Sequence, residues 1–149
     1  MANDEVTEKL DRNKDTVREF FARLERGDVT AAFEMFVDNA TWFSPTMRSD
    51  RPCTEMVGKV GWLFDAMPDG IRFELGPFTA EDDRVAVVAE SYSTMVTGRV
   101  YNNVYHWLFE VRDGRLLRAW EFSDTQHIMD VMVDLPGFDV ARTPDSAPR

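Results

Sequence analysis

This chain of 149 residues has one cysteine, two histidines and no apolar run long enough to span a bilayer. A single cysteine, Cys53, excludes an intrachain disulfide and leaves a free thiol. His106 and His127 stand apart with no cysteine cluster near them, so no metal site is expected. Basic residues are scarce. Seventeen Lys and Arg against 27 Asp and Glu give a formal net charge of −10, which opposes phosphate backbones and anionic lipid unless a local basic patch exists. The sequence shows no such patch, so neither a nucleic-acid nor a membrane partner is expected. The opening MANDEVTEKL is acidic and lacks an apolar core, so it does not read as a secretory signal, and a cytoplasmic location is expected.

What the chain does hold is apolar and aromatic surface. With 44% apolar residues, four Trp and eleven Phe, it carries more than a disordered chain does, and a packed interior follows. The length suits one core. A single domain over residues 1–141 is expected, with the polar, proline-containing end at 142–149 as a disordered tail.

Val17, Phe20, Phe21 and Leu24 recur at helical spacing between a cap at Asp15 or Thr16 and a stop at Gly27. Asp28 can cap a second helix carrying Val29, Ala32, Phe33 and Phe36, which Asp38-Asn39 ends. Ala40 to Ser44 is β-branched and aromatic ahead of Pro45 and predicts a short strand. TMRSDRPC then reads as a loop, and Thr54 opens a third helix with Met56, Val60, Leu63, Phe64 and Met67. From Ile71 the period becomes that of strands: Ile71 to Thr79, Arg84 to Val96, Val100 to Arg112 and Leu116 to Ser123. Ser123 or Asp124 caps a last short helix through Met132. Helices first and strands after predict an α+β fold, three helices packed on a curved antiparallel sheet that forms a cone around a pocket.

Loop lengths in the hairpins decide which side chains share a face, because a one-residue change of register turns a strand over. If Asp113-Gly114 is a two-residue turn, Arg112 pairs with Arg115 and Glu121 falls on the face opposite Tyr105. If Arg112-Asp113-Gly114 is a three-residue loop with Gly114 at positive φ, Val111 pairs with Arg115 and Tyr105 lies opposite Glu121. The second reading is preferred, since it gathers Tyr101, Asn103, Tyr105, Trp107 and Phe109 against Leu117, Ala119, Glu121 and Ser123, large residues facing small ones over a hollow. A two-residue turn at Thr97-Gly98 would add Glu90 opposite Tyr105.

On that register the candidate catalytic residues are Glu121, Glu90 and Tyr105. Desolvation on an aromatic face favours the neutral carboxyl and brings its pKa toward the range useful for proton transfer. Glu121, between the small Ala119 and Ser123, is expected to move the proton, while Glu90 orients Tyr105 or a water. The plain alternative is a carboxylate paired with Arg118 or Arg48. Candidate ligand-binding residues are Trp42, Ser44, Phe20, Tyr92, Asn103, Trp107 and Ser123.

Two segments, VREFFARLERGDVTAAFEMFVDNATW and GRVYNNVYHWLFEVRDGRLLRAWEFSDT, make the chain resemble the NTF2-like superfamily, in particular its SnoaL-like, ketosteroid-isomerase-like and limonene-epoxide-hydrolase-like members. The resemblance spans nearly the whole chain and implies the cone fold. Compared with ketosteroid isomerases, Ser44 stands where the general-base Asp would be, Phe20 where the oxyanion-hole Tyr would be, and Tyr105 nearest the second oxyanion-hole acid. Compared with limonene epoxide hydrolases, the two Asp fall at Glu90 and Glu121, but the Arg between them falls at Val88 and the water-holding Tyr and Asn at Trp42 and Ser44. SnoaL-like polyketide cyclases, which use an acid/base carboxylate in such a pocket, are the looser pattern that the chain satisfies.

The resemblance implies a cofactor-independent acid/base enzyme, an isomerase, cyclase, dehydratase or epoxide hydrolase, acting on a small apolar oxygenated molecule such as a polyketide, terpenoid or steroid. The alternative is a non-catalytic binding protein of the same fold. A homodimer through the outer sheet face is expected, with Val85, Val87, Ala89, Ser91, Ser93 and Met95 on that face and Val104, Leu108, Trp120 and Phe122 extending it.

Overall fold

A corner at Gly27-Asp28 joins the first two helices of the computed structural model, which describes residues 1–138. The expected tail at 142–149 lies outside those residues. α1 (Ala2–Glu25) begins well before the expected cap. Its first turns face solvent and are laced by pairs such as Asp11–Lys14 and Asp15–Arg18 at 3.3 and 2.8 Å. Apolar spacing starts only where the helix meets the sheet, so the period marked the buried half and not the start.

α2 (Val29–Phe33) is capped as expected, Asp28 accepting a hydrogen bond from the backbone N–H of Ala31 at 2.9 Å. It stops short of Phe36, which opens β1 (Phe36–Ser44). Phe36 is buried in the strand it opens, and an aromatic residue at that spacing fits a helix or a strand, so the spacing could not separate the two. The expected loop after Pro45 contains β2 (Ser49–Pro52), paired antiparallel to β1, and leads into α3 (Cys53–Asp65). Then come β3 (Arg72–Glu81), β4 (Arg84–Thr94), β5 (Val100–Tyr101), β6 (Val104–Arg112), β7 (Arg115–Ser123) and α4 (Thr125–Met132). Asp124 caps α4 by accepting from the backbone N–H of His127.

The strands run in the order β2-β1-β7-β6-β4-β3, with β5 beside β4. Neighbours are antiparallel except β1 and β7, which are parallel. The sheet is curved and unclosed, and the helices pack on its inner face. Phe20, Phe21, Phe33, Phe36, Trp42, Trp107 and Phe109 fill that face, mostly edge to face, as between Phe20 and Phe36 at 5.5 Å. A second apolar cluster, Met67, Ile71, Met95, Tyr101, Val131, Met132 and Leu135, joins α4 and the segment after it to the sheet end.

Both hairpin loops differ from expectation, in opposite senses. At the β6–β7 end Arg112 pairs with Arg115, so Asp113-Gly114 is a two-residue turn with both φ angles positive, 50° and 73°. Leu117 is then an extra residue in β7, because Val111 pairs with Leu116 but Glu110 with Arg118. This bulge restores the parity that the turn would have lost, and Glu121 faces inward after all. It lies across from Trp107, however, and Tyr105 lies across from Ser123.

At the other end Met95 N–H donates to Arg99 O and Gly98 N–H to Met95 O, both at 2.8 Å, enclosing a three-residue loop with Gly98 at φ 83°. No bulge compensates there. Ala89, not Glu90, pairs with Tyr105, and Glu90 pairs with Val104 on the outer face. The same shift buries Val85, Val87, Ala89, Ser91 and Met95, which were expected outside. The outer face carries Val88, Val104 and Phe122, 42%, 54% and 44% exposed, with Leu108, Trp120 and Phe43 beside them.

Candidate active site

Glu121 is placed by the bulge at Leu117 and by its row neighbour Trp107. Its Oε2 accepts a hydrogen bond from Trp42 Nε1 at 3.1 Å. Trp42 reaches it from β1, where it pairs with Ala119 in the parallel ladder. The carboxyl is half-buried among aromatic rings, and that desolvation pushes its pKa up to about 7, partly opposed by the Trp42 hydrogen bond. A side chain that exchanges its proton near neutrality and keeps Oε1 free of protein partners among the described residues can serve as acid or base. The alternative pairing with Arg118 does not form, since Arg118 Nη2 binds the Asp50 carboxylate at 2.8 and 2.9 Å.

Beside Glu121 runs a chain of hydroxyls. Tyr105 Oη lies 2.8 Å from Tyr101 Oη and 3.2 Å from Ser91 Oγ. Asn103 holds the chain: its Nδ2 donates to Tyr101 Oη at 3.2 Å, and its Oδ1 accepts the backbone N–H groups of Val104 and Asp124. Burial pushes Tyr101 up to about 12, with the Glu121 charge adding to it, and holds Tyr105 well above the ordinary phenol value. Both phenols stay protonated and act as hydrogen-bond donors.

Of the candidate residues, Glu121, Tyr105, Trp42, Trp107, Asn103 and Ser123 come together on the inner face. Ser44 is buried nearby, its hydroxyl 2.8 Å from Thr46 Oγ1. Phe20 is packed behind Trp42 as core. Glu90 and Tyr92 are excluded by the register. Glu90 is held below its ordinary pKa by a hydrogen bond from Asn102 Nδ2, and the Arg72 guanidinium lies over the Tyr92 ring at 4.3 Å. Tyr101 was on the expected face but not among the candidates. Its position before Asn102-Asn103 hid that the strand breaks there and turns the phenol back toward Tyr105.

The wide hollow expected above the small residues is taken up by Trp42, which fills the space over Ala119. Two shallow surface hollows of about 880 and 520 Å³ lie elsewhere, along α1 and the β6–β7 turn and along Val37 and Leu117. Two buried polar atoms at the site, Trp107 Nε1 and Ser123 Oγ, have no hydrogen-bond partner among the described residues. Among the described residues no helix is long and apolar enough to cross a membrane, and no three or more His, Cys, Asp or Glu gather to hold a metal ion.

Residues 17–119 match the family model of the SnoaL-like domain. No curated protein matches the sequence. Among solved structures, PrhC from Penicillium brasilianum superposes with a TM-score of 0.77 at 16% identity, covering 92% of this chain and 96% of that one. AclR from Streptomyces galilaeus gives 0.74 at 19% identity, with 85% and 99% covered. IdmH from Streptomyces antibioticus, a candidate polyketide cyclase by name, gives 0.69 at 19% identity, with 81% and 98% covered. At these identities the likeness is one of fold.

Proposed function

The chain belongs to the SnoaL-like domain family, and from that premise we propose a cofactor-independent acid/base enzyme in which Glu121 transfers the proton. The observation that carries this reading is a carboxyl set among aromatic rings, held by Trp42 Nε1 at 3.1 Å and with its other oxygen free of partners among the described residues, whose burial pushes its pKa up to about 7. The ionised carboxylate takes a proton from a carbon next to a carbonyl; the electron pair of that C–H bond becomes the carbon–carbon π bond of an enolate, and the carbonyl π pair moves onto the oxygen. The proton held on Glu121 then returns to carbon or oxygen elsewhere on the same molecule, so the enzyme ends unchanged. Isomerisation, ring closure and dehydration all contain such a step, and the aromatic walls suit a small apolar oxygenated substrate such as a polyketide, terpenoid or steroid. The hydrogen-bonded Tyr101–Tyr105 pair has one O–H left to donate beside the reacting group.

A twofold homodimer through Val88, Val104 and Phe122 on the outer face belongs to this reading, since an apolar surface of that kind usually marks an interface. The competing reading is a binding protein without turnover. Glu121→Gln separates the two: it should lower turnover by about 100- to 10,000-fold while ligand affinity stays within a few-fold. Equal turnover in the variant removes the acid/base role.

A further inference from the structure

Two of the buried polar atoms without partners among the described residues, Trp107 Nε1 and Ser123 Oγ, flank Glu121. Trp107 is directly across the ladder from Glu121, and Ser123 is the next residue of β7 on the same face. Diagonal neighbours across an antiparallel pair lie within reach of one another's long side chains. The other two unpartnered atoms are guanidinium Nε groups of Arg51 and Arg118, whose terminal nitrogens are paired elsewhere. Trp107 and Ser123 have no such second outlet. A buried donor left unsatisfied costs about 1–3 kcal/mol, and native proteins leave few of them.

Indole N–H can only donate, so whatever completes Trp107 is an acceptor. A hydroxyl rotates freely about its C–O bond, so Ser123 can donate to the same atom. We infer that Trp107 Nε1 and Ser123 Oγ form a two-donor subsite for one oxygen of the ligand, of carbonyl or enolate type, placed beside the free oxygen of Glu121. This rests on the acid/base reading of Glu121 for its catalytic meaning but not for its binding chemistry. A carbonyl oxygen has two lone pairs and satisfies both donors at once. An ammonium group has no lone pair for the Trp107 N–H, so the subsite favours neutral or anionic oxygen compounds over ammonium cations. It also states which part of the substrate faces Glu121: the carbon acid next to that oxygen.

The test compares two ligands of one shape, the aromatic ketone 1-tetralone and its hydrocarbon tetralin, by their dissociation constants. The wild-type protein should bind the ketone about tenfold or more tightly than the hydrocarbon. Ser123→Ala should reduce that ratio about three- to tenfold with tetralin affinity unchanged, and Trp107→Phe, which keeps an aromatic ring without the N–H, should reduce it similarly. Ser123→Ala has a second readout. Removing an unsatisfied buried hydroxyl leaves the ligand-free melting temperature the same or higher, so weaker ketone binding in that variant cannot be put down to loss of fold. Failure of the ketone to bind, a wild-type ratio near one, or a ratio unmoved by both variants would overturn the inference. A ratio that falls in both variants while Glu121→Gln keeps full turnover leaves the subsite standing and removes only the catalytic reading.

Discussion

Trp107 stands directly across the β6–β7 ladder from Glu121. That relationship exists because two local features cancel: a two-residue turn at Asp113-Gly114 that would turn β7 over, and one extra residue, Leu117, that turns it back. The turn has positive φ at both positions, a type I′ geometry, and Gly114 at 73° is the residue suited to it. Gly114→Ala should therefore cost about 1–2 kcal/mol, from backbone strain alone, since a Cβ there meets no atom within 4 Å. Asp113→Asn should be near neutral, because Asn tolerates the same conformation. Urea denaturation midpoints for the two variants measure this, and equal stability of Gly114→Ala and wild type would contradict the turn geometry.

A second expectation follows from the carboxyl of Glu121, whose folded pKa of about 7 lies above the ordinary 4.5. Between those values the folded state binds a proton that the unfolded state has released, so stability falls as pH rises from about 4.5 to about 7, by roughly 3 kcal/mol at most. Glu121→Gln removes this dependence. Its melting temperature should match wild type near pH 4, exceed it increasingly up to pH 7, and keep a constant lead above. Turnover runs the other way, since the base must be ionised: kcat/KM should fall below about pH 7 in the wild type. Glu90→Gln is the control. Its side chain lies on the outer face and its pKa is held below the ordinary value, so it should leave both profiles unchanged above about pH 5, with any effect on stability confined to more acid pH.

The order of helices and strands and the Asp28 and Asp124 caps were legible in the sequence, whereas Glu121 was placed inward through a loop length that the structure does not have. The lengths of the two hairpin loops were not. Thr97-Gly98 and Asp113-Gly114 each show where φ becomes positive, but a glycine in that conformation closes a two-residue turn or a three-residue loop equally well. In one hairpin the error was cancelled by Leu117, a bulge with no signature in residue type. In the other nothing cancelled it, and Glu90, Tyr92 and the whole inner face of β4 were assigned to the wrong side. Tyr101 was missed as part of the site for a related reason, because the Asn102-Asn103 interruption lies inside what reads as one strand. The start of α1 was missed because exposed turns held by charge pairs carry no apolar period.

Assembly is the third matter open to measurement. Val104 and Phe122 are side by side with His106 on the outer face, and Phe43 packs against Phe122 with ring centroids 5.8 Å apart. A twofold axis through such a face brings the same residues of two copies together. Light scattering should give twice the chain mass at micromolar concentration. Val104→Glu, which adds a charge at an exposed position and disturbs no buried contact, should give the monomer mass with the melting transition still cooperative. A wild-type monomer mass would remove the dimer from the proposed function without touching the site.

The last expectation concerns the cover over the site. Tyr101, which ends the hydroxyl chain, is roofed by the His127 ring stacked on it at 5.6 Å and 9°. α4 and residues 133–138 form that roof together with the end of α3. Its outer fastenings are exposed: Arg99 Nη2 to Asp134 Oδ2 at 2.6 Å, and Trp62 Nε1 donating to Pro136 O at 3.2 Å. The opposite cover, the Phe20 and Phe21 face of α1, is buried core and costs far more to move. Substrate entry should therefore use opening of α4 and the segment after it, which belongs to the less stable part of the fold. Gly137 has φ 85°, and a Cβ there would lie 3.3 Å from Trp62 Nε1, so Gly137→Ala strains the fastening at two points. About 1–2 kcal/mol of strain corresponds to roughly 5- to 30-fold more opening. Arg99→Ala removes an exposed ion pair worth about 0.2–1 kcal/mol and should give up to about fivefold. Hydrogen exchange reads both: amides of α4 and 133–138 should exchange faster in each variant, in that order, while those in the centre of β6 keep wild-type rates. Equal acceleration in β6 would mean that the segment opens only with the whole molecule and is no gate.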